Sequence, residues 1–280
     1  ALMARSGAGC LYIPLFRQSH LGNRHSWVRW IKDGDGWKHD FSIVEKYIDT
    51  AKARLGEIDV ICLMSWPRSS GGAYFGKKGR ETAAKPFFFS VLDPETGKLT
   101  EAKGPSWSDE KEIRAFLAPV FAGIRERLKQ RGLEEAMMVG IAHDVLPSKQ
   151  CVAALAEVSG QAPWVMHCHP SRWKCRDQQV GYLAHVWGTR SADWPGEKVR
   201  HPRPRGWQLD KYYLTFPRAG SGVVGSIYDH SSPAQFRASC EVALCAGMRG
   251  YGWIGADFWN VEQDKRGHAA TLLDQYPYVA

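Results

Sequence analysis

Eight short strand-like runs separated by amphipathic helical stretches constrain this chain more than any other feature of it. The runs fall at residues 10–15, 60–66, 86–92, 137–142, 164–169, 181–187, 212–216 and 251–258. Alternating strand and helix patterns are what a parallel sheet needs, because parallel neighbours can be joined only by a crossover and not by a tight turn. Eight is also the strand number of a closed barrel, so the expected fold class is α/β, a (β/α)8 TIM-type barrel with long loops at the carboxyl face of its strands. Those loops are visible as a Gly, Ser and Lys stretch between Trp66 and Pro86 and a second long connection from Gly188 to Asp210. Loops of that length carry binding residues or move. Asp93-Pro94-Glu95-Thr96-Gly97 has the composition of a hairpin turn inserted after the third run.

Three helices are clear from periodicity. Asp40 is placed to cap a helix whose Phe41, Val44, Tyr47, Ile48, Ala51 and Leu55 form one apolar face ending at Gly56. Ser108, followed by Asp109 and Glu110, opens a longer one with Ile113, Phe116, Leu117, Val120, Ile124 and Leu128 inward and Gly132 as its stop. Pro119 is expected to kink that helix or to mark its true start. Residues 233–246 form the third, stopped by Gly247. The chain is 280 residues long and 44% hydrophobic, enough for one large core. Without a repeat, linker or low-complexity run to divide it, it reads as a single barrel domain over 1–280. It opens on Ala1 and ends on Tyr278-Val279-Ala280, which reads as a fragment of a longer polypeptide.

Composition excludes several function classes. The formal charge is +8, but Lys and Arg are dispersed except at 198–205, where His201-Pro202-Arg203-Pro204 reads as a surface loop. No zinc-finger, RNA-recognition or phosphate-loop pattern accompanies it, so no nucleic-acid partner is expected. No apolar stretch approaches membrane-spanning length. The first fifteen residues lack the basic start and apolar centre of a signal peptide, so a secreted or periplasmic location follows only from the fragment reading. Seven Cys, an odd number without paired short spacings, do not describe a disulfide framework; mostly reduced or buried thiols are expected, with one or two bridges left open.

The strand ends carry the chemistry. The run 137–142 is short and apolar, and Gly140-Ile141-Ala142-His143-Asp144 brings a carboxylate to its exit. With period two, Met138, Gly140, Ala142 and Asp144 share one face, whose small residues suit a crowded barrel interior with Asp144 at the mouth. The structural alternative is that Asp144 opens a turn or caps the helix beginning near Ser148. Ser65 and Trp66 end the second run, His167 and His169 the fifth, His185 and Trp187 the sixth; Arg218 follows the seventh, and Asp257 and Trp259 end the eighth. In a barrel these converge on one rim. Glycosidic cleavage needs a proton donor and a group that stabilises positive charge at the anomeric carbon, and Asp144 with Asp257 is the best carboxylate pair. Trp66, Trp187 and Trp259 are candidate sugar platforms, with core packing of equal weight for each. Arg218 can grip a hydroxyl or carboxylate, or brace a loop. A metal-dependent hydrolase is the competing reading, because His167 and His169 point the same way on a strand and His185, Asp257 and His143 could complete a ligand set. Such a pair is more often a hydrogen-bonding one, so no metal or other cofactor is expected.

Four segments together resemble the catalytic barrel of glycoside hydrolase family 123 and its uncharacterised bacterial relatives. They are Asp40-Phe-Ser-Ile-Val-Glu-Lys-Tyr47, Phe116-Leu-Ala-Pro-Val120 with Arg127-Leu-Lys-Gln-Arg-Gly132, the Asp144 strand end, and Gly250-Tyr-Gly-Trp-Ile-Gly-Ala-Asp-Phe-Trp259. The resemblance implies a carbohydrate partner, possible flanking β-sandwich domains, and an adjacent Asp-Glu pair after the fourth strand. In that pair the Asp orients the substrate's acetamido group as nucleophile and the Glu is the general acid. Here Asp144 matches the Asp, but Val145 follows it and cannot donate a proton. With the register shifted by one, His143 and Asp144 occupy the pair and Asp144 becomes the acid. The sequence therefore supports a glycosidase acting on a carbohydrate, with an acetamido sugar implied. The metal hydrolase and a catalytically inactive carbohydrate-binding barrel are its alternatives.

Overall fold

The structure is a computed structural model that describes residues 9–19, 23–66, 72–74, 81–82, 86–142, 145–168, 174–185, 213–216, 234, 241 and 250–251. The chain divides into two compact units, one chiefly Met3–Met166 with Arg172–Tyr182, the other chiefly His167–Ser171 with Leu183–Ala280. In chain order the elements are β1 (Cys10–Pro14), β2 (Arg29–Asp33), β3 (Gly36–Asp40), α1 (Ser42–Leu55), β4 (Val60–Met64), β5 (Gly72–Tyr74), β6 (Glu81–Thr82), β7 (Phe88–Leu92) and β8 (Leu99–Lys103). Then follow α2 (Glu110–Gln130), a single 3-10 turn at Glu134–Ala136, β9 (Met137–Ala142), β10 (Val145–Leu146), α3 (Lys149–Val158), β11 (Trp164–Cys168), β12 (Lys174–Cys175) and β13 (Gln178–His185). In the second unit β14 (Tyr213–Phe216) pairs in parallel with β15 (Gly250–Tyr251).

The first unit is mixed α/β around a parallel sheet of order β1-β4-β9-β11-β13. Each register follows from burial. Val60 to Met64 is enclosed at every position, as a parallel strand covered on both faces must be, and it pairs in parallel with both β1 and β9. Among the described residues no pairing closes this sheet into a barrel. The third run is a correction to the sequence reading: β7 lies outside the parallel sheet. It forms an antiparallel hairpin with β8 around Asp93–Gly97 and touches β2, giving a separate sheet of order β3-β2-β7-β8. The physical cue is its alternation. Phe87 and Phe89 are buried while Phe88 between them is 39% exposed, as where a sheet is covered on one face; one step on, Ser90 on the Phe88 side is covered by Ser26. The helix expected at 233–246 lies outside the described residues apart from positions 234 and 241, which are helical.

Helix ends are set by local chemistry. Asp40 caps α1 one residue earlier than the formal N-cap Phe41, its Oδ1 accepting from the Ser42 amide at 2.9 Å. Asp109 rather than Ser108 caps α2, accepting from the Glu112 amide. Pro119 sits inside α2 on its exposed side and neither starts nor ends it. Gly132 takes φ 69°, and the Leu133 amide returns to the Leu128 carbonyl at 2.9 Å, which stops the helix.

Of the predicted inward positions α1 buries Val44, Ile48 and Ala51 and α2 buries Ile113, Leu117, Val120, Ile124 and Leu128; Tyr47, Leu55 and Phe116 are half-buried, and α2 also buries Phe121, which was not among them. Between α2 and the β3-β2-β7-β8 sheet lies an aromatic cluster centred on Trp30, fully buried and stacked on Phe116 at 5.5 Å and 6°. His39 packs edge-on against Trp30, and burial pushes its pKa below the ordinary value. A His with a depressed folded pKa stabilises the protein fully above its unfolded value of about 6.5 and loses that contribution as pH falls toward the folded value. His39→Phe is therefore expected to flatten the fall in melting temperature between about pH 7.5 and pH 5.5. Parallel melting curves for the two proteins across that window would show that His39 is not responsible.

Candidate functional site

Along the sequence, polar residues stand at the carboxyl ends of four parallel strands: Ser65 after β4, His143 and Asp144 after β9, His167 near the end of β11 and His185 at the end of β13. Ser65 follows β4, is fully buried, and donates its amide to the Gly140 carbonyl at 2.7 Å, which ties the exit of β4 to β9. Its Oγ finds no hydrogen-bond partner among the described residues. Trp66, next in line, is 1% exposed. A ring so enclosed packs as core does; stacking on a sugar requires an open face.

His143 and Asp144 lie outside the described residues, but the elements on either side of them are fixed. Only these two residues separate Ala142, the last of β9, from Val145, the first of β10. β10 is not part of the parallel sheet. It pairs antiparallel with β5, Val145 opposite Tyr74 and Leu146 opposite Ala73, and β5 pairs in turn with β6. The stretch between Trp66 and Pro86 thus contributes strands where the sequence suggested loop, and one of them pairs with the segment immediately after Asp144. Their closeness depends on Gly72, where a Cβ would collide with the Leu146 carbonyl. From the other side, Arg176 in the β12–β13 turn donates its Nε to the Pro147 carbonyl at 2.7 Å. Ser148 then caps α3, accepting from the Cys151 amide at 3.1 Å, so the cap assigned to Asp144 in the structural alternative belongs to Ser148.

His167 lies on β11 and is 5% exposed. The pairing of β11 with β9 shifts register between Val165 and Met166, so that Val165 faces Gly140 and Met166 faces Ala142. A bulge re-aims every side chain beyond it. Period-two counting along β9, which put Gly140 with Asp144, does not carry past the extra residue, Ile141, that the shift leaves there; His167 and His169 both lie beyond the shift. His185 ends β13. His169, Trp187, Arg218, Asp257 and Trp259 lie outside the described residues. Among the described residues no three His, Cys, Asp or Glu stand close enough to hold a metal, and the other proposed ligands, His143, His169 and Asp257, are outside them.

Deeper in the sheet, half-buried Cys10 and Tyr12 and buried Cys62 form a polar group that the sequence did not flag. Burial pushes the Cys10 thiol up to about 12 and raises Tyr12 and Cys62 as well. All three therefore stay protonated near neutrality, and neither thiol is a nucleophile there. Cys10, Cys62, Cys151 and Cys175 are in no disulfide among the described residues.

Gly140 is the tightest position beside the exit of β9. A Cβ there would stand 2.7 Å from the Val165 carbonyl oxygen and 3.0 Å from its Cβ, and backbone on that side cannot swing away. Gly140→Ala is expected to cost about 1–3 kcal/mol by overpacking and to shift the β9 exit that leads to residues 143–144. Urea unfolding reads the first effect, and a stability equal to wild type would mean that β11 yields freely.

A search of curated proteins finds no match to the chain. Residues 1–269 match the family described as glycoside hydrolase 123, catalytic domain, a match that covers nearly the whole sequence and agrees with the parallel α/β core and the polar strand exits. The chain therefore belongs to the glycoside hydrolase 123 catalytic-domain family and is a glycosidase by class.

Proposed function

We propose that the chain hydrolyses the glycosidic bond of an acetamido sugar at the carboxyl ends of its parallel strands, with Asp144 as the central carboxylate. The observation that carries this reading is the place of β9. It lies between β4 and β11 in the parallel order, and its next residues are His143 and Asp144. Ligands of parallel α/β sheets bind beyond the carboxyl ends of the strands, because there the crossover loops converge. Asp257 serves as the second carboxylate, and His143 adjusts the hydrogen bonding of Asp144. His167, His169, His185, Trp187, Arg218 and Trp259 supply substrate contacts, whereas Trp66, enclosed at the exit of β4, backs the site as core. In this reading the sheet closes into a (β/α)8 barrel as one domain over 1–280. The parallel order β1-β4-β9-β11-β13, which follows chain order without reversal, supports that closure.

Val145 is the departure from the family's Asp-Glu pair. It is buried and its backbone pairs with Tyr74. A proton must then come from Asp144 itself, with the acetamido group as internal nucleophile, or from Asp257. The same observation favours one other reading, a barrel that binds sugar without cleaving it. The deciding experiment incubates the wild-type protein with aryl 2-acetamido-2-deoxyglycosides and with the matching aryl glycosides that lack the acetamido group. Aryl release from the first set well above the second is the expected result. Release from both sets alike would retain the glycosidase and remove the acetamido role; binding without release from either would establish the non-cleaving barrel.

A further inference from the structure

A cleft of about 580 Å³ opens between the β3-β2-β7-β8 sheet and the first turns of α2, and none of Ser65, Trp66, Gly140 or His167 lines it. We infer that this cleft is a second carbohydrate-binding site, one that takes a neutral oligosaccharide; the inference rests on the glycosidase reading for its ligand class. Its walls are Trp37, Phe89, Trp107 and Phe116, with Lys103 and Glu112 at the edges. Trp37 is half-buried and stands edge-on to Phe89 at 5.5 Å, and the Lys32 ammonium lies 4.7 Å from its ring centre. These contacts fix the orientation of its indole before any ligand arrives. The floor is equally fixed, since a Cβ at Gly104 would run into the Phe87 ring.

The two charges decide the ligand. Lys103 and Glu112 are exposed, and neither enters an ion pair with a described residue. An anionic ligand would meet the Glu112 carboxylate and a cationic one the Lys103 ammonium. A wholly apolar ligand would cover both charges without giving either a partner. A neutral sugar escapes all three penalties. Its C–H face stacks on the half-buried rings of Trp37 and Phe116, which the enclosed Phe89 and Trp107 back from behind, and its hydroxyls donate to Glu112 and accept from Lys103. The volume lies within the range of small-molecule sites.

The test follows the indole N–H resonance of Trp37 in the full chain, assigned with Trp37→Phe, during titration with a panel of neutral acetamido and non-acetamido oligosaccharides. The expected result is a saturable shift with at least one member, weakened about tenfold or more by Glu112→Gln through loss of a charge-assisted hydrogen bond. Silence of Trp37 toward every member overturns the inference. So does a shift whose affinity is unchanged by both Glu112→Gln and Lys103→Ala, exposed substitutions that leave the fold intact. Aryl glycoside hydrolysis, measured on the same preparation, separates this site from the catalytic one. Turnover with a silent Trp37 removes the cleft alone, whereas a responding Trp37 without turnover keeps the cleft and removes the hydrolytic reading.

Discussion

Asp144→Asn is expected to lower turnover by about 10²–10⁴-fold, the range that a positioned acid or base contributes. The substitution keeps the shape of the side chain and removes its proton chemistry. Where the wild-type carboxylate donates a proton, or holds the acetamido N–H with a full negative charge, the amide has neither the acidic proton nor the charge. The position makes the effect separable from folding. Residues 143 and 144 join two strands whose own pairings, β9 with β4 and β11 and β10 with β5, do not use the Asp144 side chain. The cap of the following helix is made by Ser148. A melting curve close to wild type is thus the companion expectation. Retained turnover in the purified variant would take Asp144 out of the mechanism and leave Asp257 as the carboxylate to test. A loss of stability on the scale of a missing cap, about 0.5–2 kcal/mol, would assign it to the turn.

Elements enclosed on all sides were legible in the sequence because their composition has one explanation. Val60 to Met64 and Met137 to Ile141 are unbroken apolar runs, and both are strands of the parallel sheet. The two long helices were equally plain, since their buried positions repeat at the helical period. What escaped was structure built on one covered face or on close backbone approach. The β2–β3 hairpin turns through Asp33-Gly34-Asp35-Gly36, a strong turn signal, with Gly34 at φ 56°. It went unread because its strands carry Lys, Asp and His between their aromatic positions. β5 and β6 are three and two residues long, too short for any period to register. The bulge between Val165 and Met166 has no sequence signature at all, yet it decides which side chains share a face at the site. Trp66 shows the same limit at a single residue: position placed it at a strand exit, and only packing reveals that it is enclosed.

Trp30→Ala carries the largest expected loss of stability, about 3–5 kcal/mol, as for other large aromatic truncations in a core. Trp30 is fully buried on β2, with ring contacts to Phe16 at 6.4 Å, Phe89 at 4.6 Å, His39 at 5.5 Å and Phe116 at 5.5 Å. These neighbours come from the segment after β1, from β7, from β3 and from α2, so the indole joins the small sheet to the helix that feeds β9. The surroundings cannot easily collapse into the space it leaves. Phe89 and Phe116 are also held by each other at 5.1 Å, and Phe16 and Phe116 by Phe87 at 4.3 Å and 6.0 Å. Urea unfolding is the measurement, with the midpoint expected to fall while the slope stays near wild type. Trp30→Phe, which keeps a ring against Phe116, should lose clearly less. A loss below about 1 kcal/mol for Trp30→Ala would mean that the cluster repacks, and would separate the small sheet energetically from α2. The link to function runs through Phe116, which stacks on Trp30 and also lines the Trp37 cleft. If the cluster is as rigid as its contacts imply, Trp30→Ala weakens oligosaccharide binding at Trp37 even in protein that remains folded.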